Sequence, residues 1–253
     1  MTEDIDEDLD DRQPLVSHLL ELRTRVLNSV IVVLVVFLAL FYFANDIYEF
    51  ISEPLRAYLP EGTSMIATEV ASPFLTPFKL TIFVSIFLSV PFLLHQAWSF
   101  ISPGLYSHEK KLGIPLLLSS ILLFYAGIAF AYYAVFPLVF SFFTSVGPEG
   151  VAVMTDINKY LDFVLKLFFA FGVAFEIPIA TFLLVASGIV TIESLTAKRP
   201  YLIVGCFVLG MLLTPPDIIS QAMLAFPMWV LFEVGILLAR FARKSKNATS
   251  DSD

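Results

Sequence analysis

Few residues in this chain can do chemistry, and the most conspicuous is an acid in an apolar setting. Glu176 lies midway along the run from Phe163 to Ile189, FVLKLFFAFGVAFEIPIATFLLVASGI. That run is about 27 residues, roughly 40 Å of helix, against about 30 Å of membrane hydrocarbon. A carboxylate at such depth costs about 2.5 to 3.5 kcal/mol on insertion scales. It marks either a functional intramembrane polar site or a neutral acid hydrogen-bonded to a neighbouring helix. Pro178, two residues on, removes a backbone donor and predicts a bend beside the acid.

Other charges have simpler readings beside functional ones. Glu21 precedes Arg25 by one helical turn in the order that favours a surface ion pair. Glu109 sits in SPGLYSHEKK beside Lys110 and Lys111, as in a solvated turn. Taken together, the two carboxylates could receive two guanidinium groups, because arginine meets a carboxylate with a planar fork. Asp162 and Lys166 suggest an ion pair within one helix, or a snorkelling lysine. Glu233 either snorkels to the interface or bonds a neighbouring helix. Asp217, after Pro215 and Pro216, reads first as a helix cap and second as a partner contact. Thr214, Ser220 and Gln221 offer polar groups to another helix, each worth about 0.6 to 2 kcal/mol in lipid. His18, His95 and His108 lack metal-ligand spacing, and there is no HExxH motif, P-loop, nucleophile elbow or pair of catalytic acids. An enzyme is not expected, and neither a metal nor another cofactor is implied.

The elements that position these residues follow from composition. Of 253 residues, 58% are hydrophobic and 15% charged, which excludes an ordinary soluble domain and predicts an all-α integral membrane protein. The net charge of −8 owes much to the acids of 1–13, read as a disordered acidic tail. That acidic start is no signal peptide, so the first span reads as a retained anchor. Cys206 is alone, so no disulfide can form within the chain. Pro14 opens an amphipathic helix expected to lie at the interface before turning into the first span. Six spans are predicted within a domain at 14–241, at about 27–44, 78–100, 112–143, 160–187, 201–214 and 218–240, with the fifth and sixth short. Residues 45–77 read as an interfacial cap, and 242–253 as a cytoplasmic tail. Lysine and arginine concentrate on one side of such a bundle, which predicts both termini in the cytoplasm. No internal repeat is evident.

Four segments, SHLLELRTRV, FISPGLYSHEKK, FGVAFEIPI and RPYLIVGCFVLGMLLTPPD, resemble TatC, the multispanning receptor subunit of the twin-arginine protein translocase. The likeness runs from about Pro14 to Phe241, with the motifs in family order. It implies a receptor in the bacterial cytoplasmic (inner) membrane that binds twin-arginine signal peptides of folded precursors. Glu21 and Glu109 would be the acidic receptors, with Arg23, Arg25 and Phe100 shaping the site. It further implies single-span partners, TatA and TatB, docking along the last two helices at Met211, Thr214, Asp217 and Gln221. The complex would be multimeric, powered by the proton gradient, with no nucleic acid partner. Glu176 would face the concave side of the bundle. Without the resemblance the residues also admit a proton-coupled small-solute transporter with Glu176 as its carrier acid; an intramembrane protease lacks a catalytic set.

Overall fold

Lipid offers no partner to a backbone N–H or C=O, so an apolar chain closes its hydrogen bonds within helices. The computed structural model describes residues 12–56, 66–101, 113–145, 156–213 and 218–250. Among them the helices are α1 (Arg12–Phe41), α2 (Ala44–Arg56), α3 (Ser72–Ile101), α4 (Gly113–Phe130), α5 (Phe136–Ser145), α6 (Ile157–Ala174), α7 (Ile177–Ala186), α8 (Ile192–Ala197), α9 (Arg199–Leu213) and α10 (Ile218–Ser250). The one extended pairing among the described residues is a single bridge between Ile66 and Asp156.

Among the described residues, five stretches are long and apolar enough to cross a membrane: Leu19–Phe41, Ser72–Phe100, Gly113–Phe142, Ile157–Ala186 and Gln221–Phe241. Helix α9 is apolar but only 15 residues long, about 22 Å, in line with a stunted fifth helix. The sixth is a correction. Its apolar part has 21 residues, enough to cross, and α10 continues to Ser250 through much of the segment read as a tail. A helix already nucleated propagates through polar sequence when no Pro or Gly stops it. The start of the chain is a second correction. Because neither Pro nor Gly occurs between Leu15 and Phe41, amphipathic start and span form one helix with no turn between them. The second span also begins earlier than expected, at Ser72, and takes Pro77 inside it.

The prolines shape the two long middle spans. Between α4 and α5 the chain widens into a π-helical stretch, Ala131–Val135, in which the Phe136 N–H reaches the carbonyl of Ala131, five residues back. The widening falls immediately before Pro137, whose ring crowds the preceding turn of a regular helix. Between α6 and α7 the break falls at Phe175 and Glu176, ahead of Pro178, as the sequence predicts. There the Glu176 N–H bonds three residues back to Val173 at 3.0 Å.

Small residues let these bent helices approach. A Cβ on Gly127 of α4 would stand 2.5 Å from the carbonyl oxygen of Phe171 in α6, and one on Gly172 would meet the Phe124 ring at 2.7 Å. Gly235 of α10 lies against Pro178 and Thr181 of α7, each 2.9 Å from such a Cβ. Such contacts hold helices in lipid, where burial itself drives little association. Around them lies a core of Phe136, Val139, Tyr160, Val164, Leu167, Phe171 and Leu224. Helix α1 is peripheral: it packs on α3, and none of its apolar window is buried. Helix α2 lays Ile47 and Tyr48 over Leu80, Leu161 and Leu165, capping one end of the bundle as expected of this segment.

Candidate functional site

At the end of the bundle opposite α2, Arg25 joins α1 to α3. Its Nε–H and Nη2–H both donate to Glu21 Oε1, at 3.0 and 2.5 Å. Nη1 donates to Gln96 Oε1 at 3.3 Å, and Nη2 also to the Ser99 carbonyl at 3.1 Å. The helix-pair reading of Glu21 is therefore realised, and the same guanidinium fastens the last turns of α3, where Phe100 follows Ser99. Arg23 is exposed two residues before Arg25. The structure thus gathers Glu21, Arg25 and the Phe100 end of α3 in one place. Glu109, Thr214 and Asp217 lie outside the described residues. The parts the sequence reading missed are Gln96 and the Ser99 carbonyl. The available signal was a lone amide in the final turns of an apolar span.

Glu176 is half-buried at the break between α6 and α7, and its Oε2 accepts from the hydroxyl of Ser120 on α4. Its Oε1 is buried with no hydrogen-bond partner. Beside the break opens a groove of about 470 Å³ between α4, α7 and α10, lined by Leu122, Pro178, Phe182 and Leu238 among others. The bond from Ser120 realises the reading of an acid hydrogen-bonded to a neighbouring helix.

Glu233 bonds a neighbouring helix. Its Oε2 accepts from Arg199 Nη2 at 2.6 Å, tying α10 to the start of α9. Gly210 comes close to the backbone of Gln221: a Cβ on Gly210 would stand 3.3 Å from the Gln221 carbonyl oxygen, and beside this crossing Met211 is 50% exposed. Cys206 is buried and unpaired in a disulfide.

The α2 end is built differently. Asp156 caps α6, accepting from the N–H groups of Asn158 at 2.9 Å and Lys159 at 3.1 Å, and it also takes both the hydroxyl and the N–H of Thr68. These donors, the Thr68 hydroxyl foremost, hold its carboxyl down at a pKa of about 2. Asn158 reaches the buried hydroxyls of Ser72 and Thr76, and Lys79 pairs with Asp162 at 2.7 Å. That last contact corrects the ion-pair alternative of the sequence reading: Asp162 pairs across helices with Lys79, and Lys166 is exposed, as the snorkelling alternative allows. The neighbouring helix supplies the cation because α3 and α6 lie side by side at this end.

Residues 17–227 match the family model described as TatC, Sec-independent protein translocase protein. A Sec-independent protein translocase protein TatC of Azotobacter chroococcum is 64% identical over 245 residues, covering 96% of each chain. One from Escherichia coli K12 is 59% identical over 233 residues, covering 92% of this chain and 90% of the relative. The solved structure titled Crystal Structure of Twin Arginine Translocase Receptor- TatC superposes with a TM-score of 0.81 at 39% identity, covering 89% of this chain and 99% of the other. With motifs, helix order and fold in agreement over nearly its whole length, the chain belongs to the TatC family of Sec-independent protein translocase proteins.

Proposed function

We propose that this protein is the receptor subunit of a twin-arginine translocase in the bacterial cytoplasmic membrane, binding rather than catalysing. The observation that carries the reading is the Arg25 end of the bundle in a chain of this family: a carboxylate, Glu21, already shaped to accept a guanidinium. In this reading six helices cross the membrane, α9 included, with thinning of the bilayer accommodating its short span. Both termini face the cytoplasm, where the lysines and arginines concentrate. Glu21 and Glu109 take the two arginines of a signal peptide, with Arg23, Arg25 and Phe100 around them. A lysine there keeps charge but loses the fork, the physical reason for a paired-arginine requirement.

Single-span TatA and TatB partners dock along α9 and α10, using Met211, Thr214, Asp217 and Gln221. The exposed apolar side chains of α9, Val204, Val208 and Met211, support that contact surface. Glu176 offers its carboxylate to a polar group arriving within the membrane, and the proton gradient supplies the energy for moving folded cargo. Capture of a fluorescent twin-arginine precursor by the full chain in lipid nanodiscs tests the reading. The wild type captures it and holds a twin-lysine precursor measurably but far more weakly; Glu109→Ala abolishes capture. Undiminished capture after removal of both Glu21 and Glu109 overturns it.

A further inference from the structure

Arg25 has acceptors of two kinds. On its own helix it meets a carboxylate, Glu21, through a single oxygen that takes both Nε–H and Nη2–H. On α3 it meets two neutral oxygens, Gln96 Oε1 and the Ser99 carbonyl. The residue four positions after Ser99, whose N–H a regular helix would donate to this carbonyl, is Pro103, which has no N–H. Arg25 therefore gives this carbonyl a donor that Pro103 lacks, and its charge also suits the dipole at this end of α3.

Resting on the receptor reading, we propose that Gln96 is a positioning residue for guanidinium recognition. With the Ser99 carbonyl it holds Arg25 on α3, and Arg25 in turn fixes where the Glu21 carboxylate stands relative to this end of α3. An arriving arginine competes with Arg25 for the carboxylate but not for the neutral oxygens. Held by Gln96, Arg25 yields part of Glu21 and keeps its place. Without Gln96 it follows the carboxylate and remains a competitor on it. Because α1 is peripheral, this guanidinium is also a polar tie that keeps the α1 turn carrying Glu21 against α3.

The test measures the affinity of the full chain in nanodiscs for twin-arginine and twin-lysine precursors, comparing wild type, Gln96→Leu and Gln96→Glu. Spin labels at the exposed positions Leu22 and His95 report the α1–α3 distance in the same samples. Gln96→Leu is expected to weaken the twin-arginine precursor about tenfold, the order of one charge-assisted hydrogen bond, and to leave twin-lysine affinity unchanged. Its α1–α3 distance distribution broadens. Gln96→Glu, which accepts from the same nitrogen, restores both. An equal loss for both precursors points to general misfolding and overturns the proposal, as does Gln96→Leu binding like the wild type. If the wild type itself captures neither precursor, the receptor reading fails instead, so the two failures are distinct.

Discussion

The two ends of this bundle are fastened by different means. At the α2 end, Thr68 with Asp156, Ser72 and Thr76 with Asn158, and Lys79 with Asp162 join α3 to α6 over several helical turns, and α2 lies across them. At the other end the Arg25 guanidinium ties α1 to α3. Spreading polar contacts over many groups makes a joint that survives the loss of any one. A single cation shared between a carboxylate and neutral oxygens makes a joint whose carboxylate a competing cation can take while the neutral oxygens hold. The contrast places rigidity at one end and exchangeable charge at the other, with the tightly packed glycine crossings between them.

That comparison can be broken at its strongest point first. Gly127→Val should cost about 3 kcal/mol or more, since its side chain meets the Phe171 carbonyl and backbone gives way less readily than a rotamer. Thermal unfolding in detergent should show a large drop in Tm, with precursor capture lost alongside it. Unchanged Tm would show that the crossing is not the shared support of both ends.

Asn158→Leu separates the ends more cleanly. It strands the buried hydroxyls of Ser72 and Thr76, at about 1 to 3 kcal/mol, so Tm should fall while twin-arginine affinity of the folded fraction stays at its wild-type value. A parallel change in affinity would mean the ends are coupled. The Lys79 and Asp162 pair is half-exposed, and a double-mutant cycle with Lys79→Met and Asp162→Asn should return a coupling of about 0.2 to 1 kcal/mol. A coupling above that range would mark this pair as the principal tie of the α2 end.

The smallest effect is a dependence on pH. The Asp156 carboxyl titrates at about 2 in the folded chain, below the usual value of about 3.9, because Thr68 and the N–H groups at the start of α6 favour its anion. A depressed pKa contributes stability that is complete above about pH 4 and is lost as pH falls through about 2. Hydrogen exchange at the Thr68 amide, followed over that interval, should show protection lost at the acid end. Protection that persists would remove Asp156 from the account of the α2 end.

The sequence by itself determined the helical class, the stunted fifth helix, the bend at Glu176 and the family, because apolar length, proline position and short motifs are local properties that lipid reads directly, while the ends of the first, second and sixth helices were not legible in it. It also located the ion pair of Glu21 and Arg25, whose members are one turn apart. Pairings between helices were decided only by tertiary structure. Asp162 takes Lys79, 83 positions away, in preference to Lys166 one turn along, and Arg25 reaches Gln96 at a separation of 71. Ser120 and Glu176, and Arg199 and Glu233, likewise meet because α4 lies beside the α6–α7 break and α9 beside α10. An apolar helix presents similar side chains all round, so its sequence carries little record of which neighbour each polar group will face. Close packing at Gly127 and Gly172 sets α4 against α6, which brings Ser120 beside Glu176, and Gly235 sets α10 against α7.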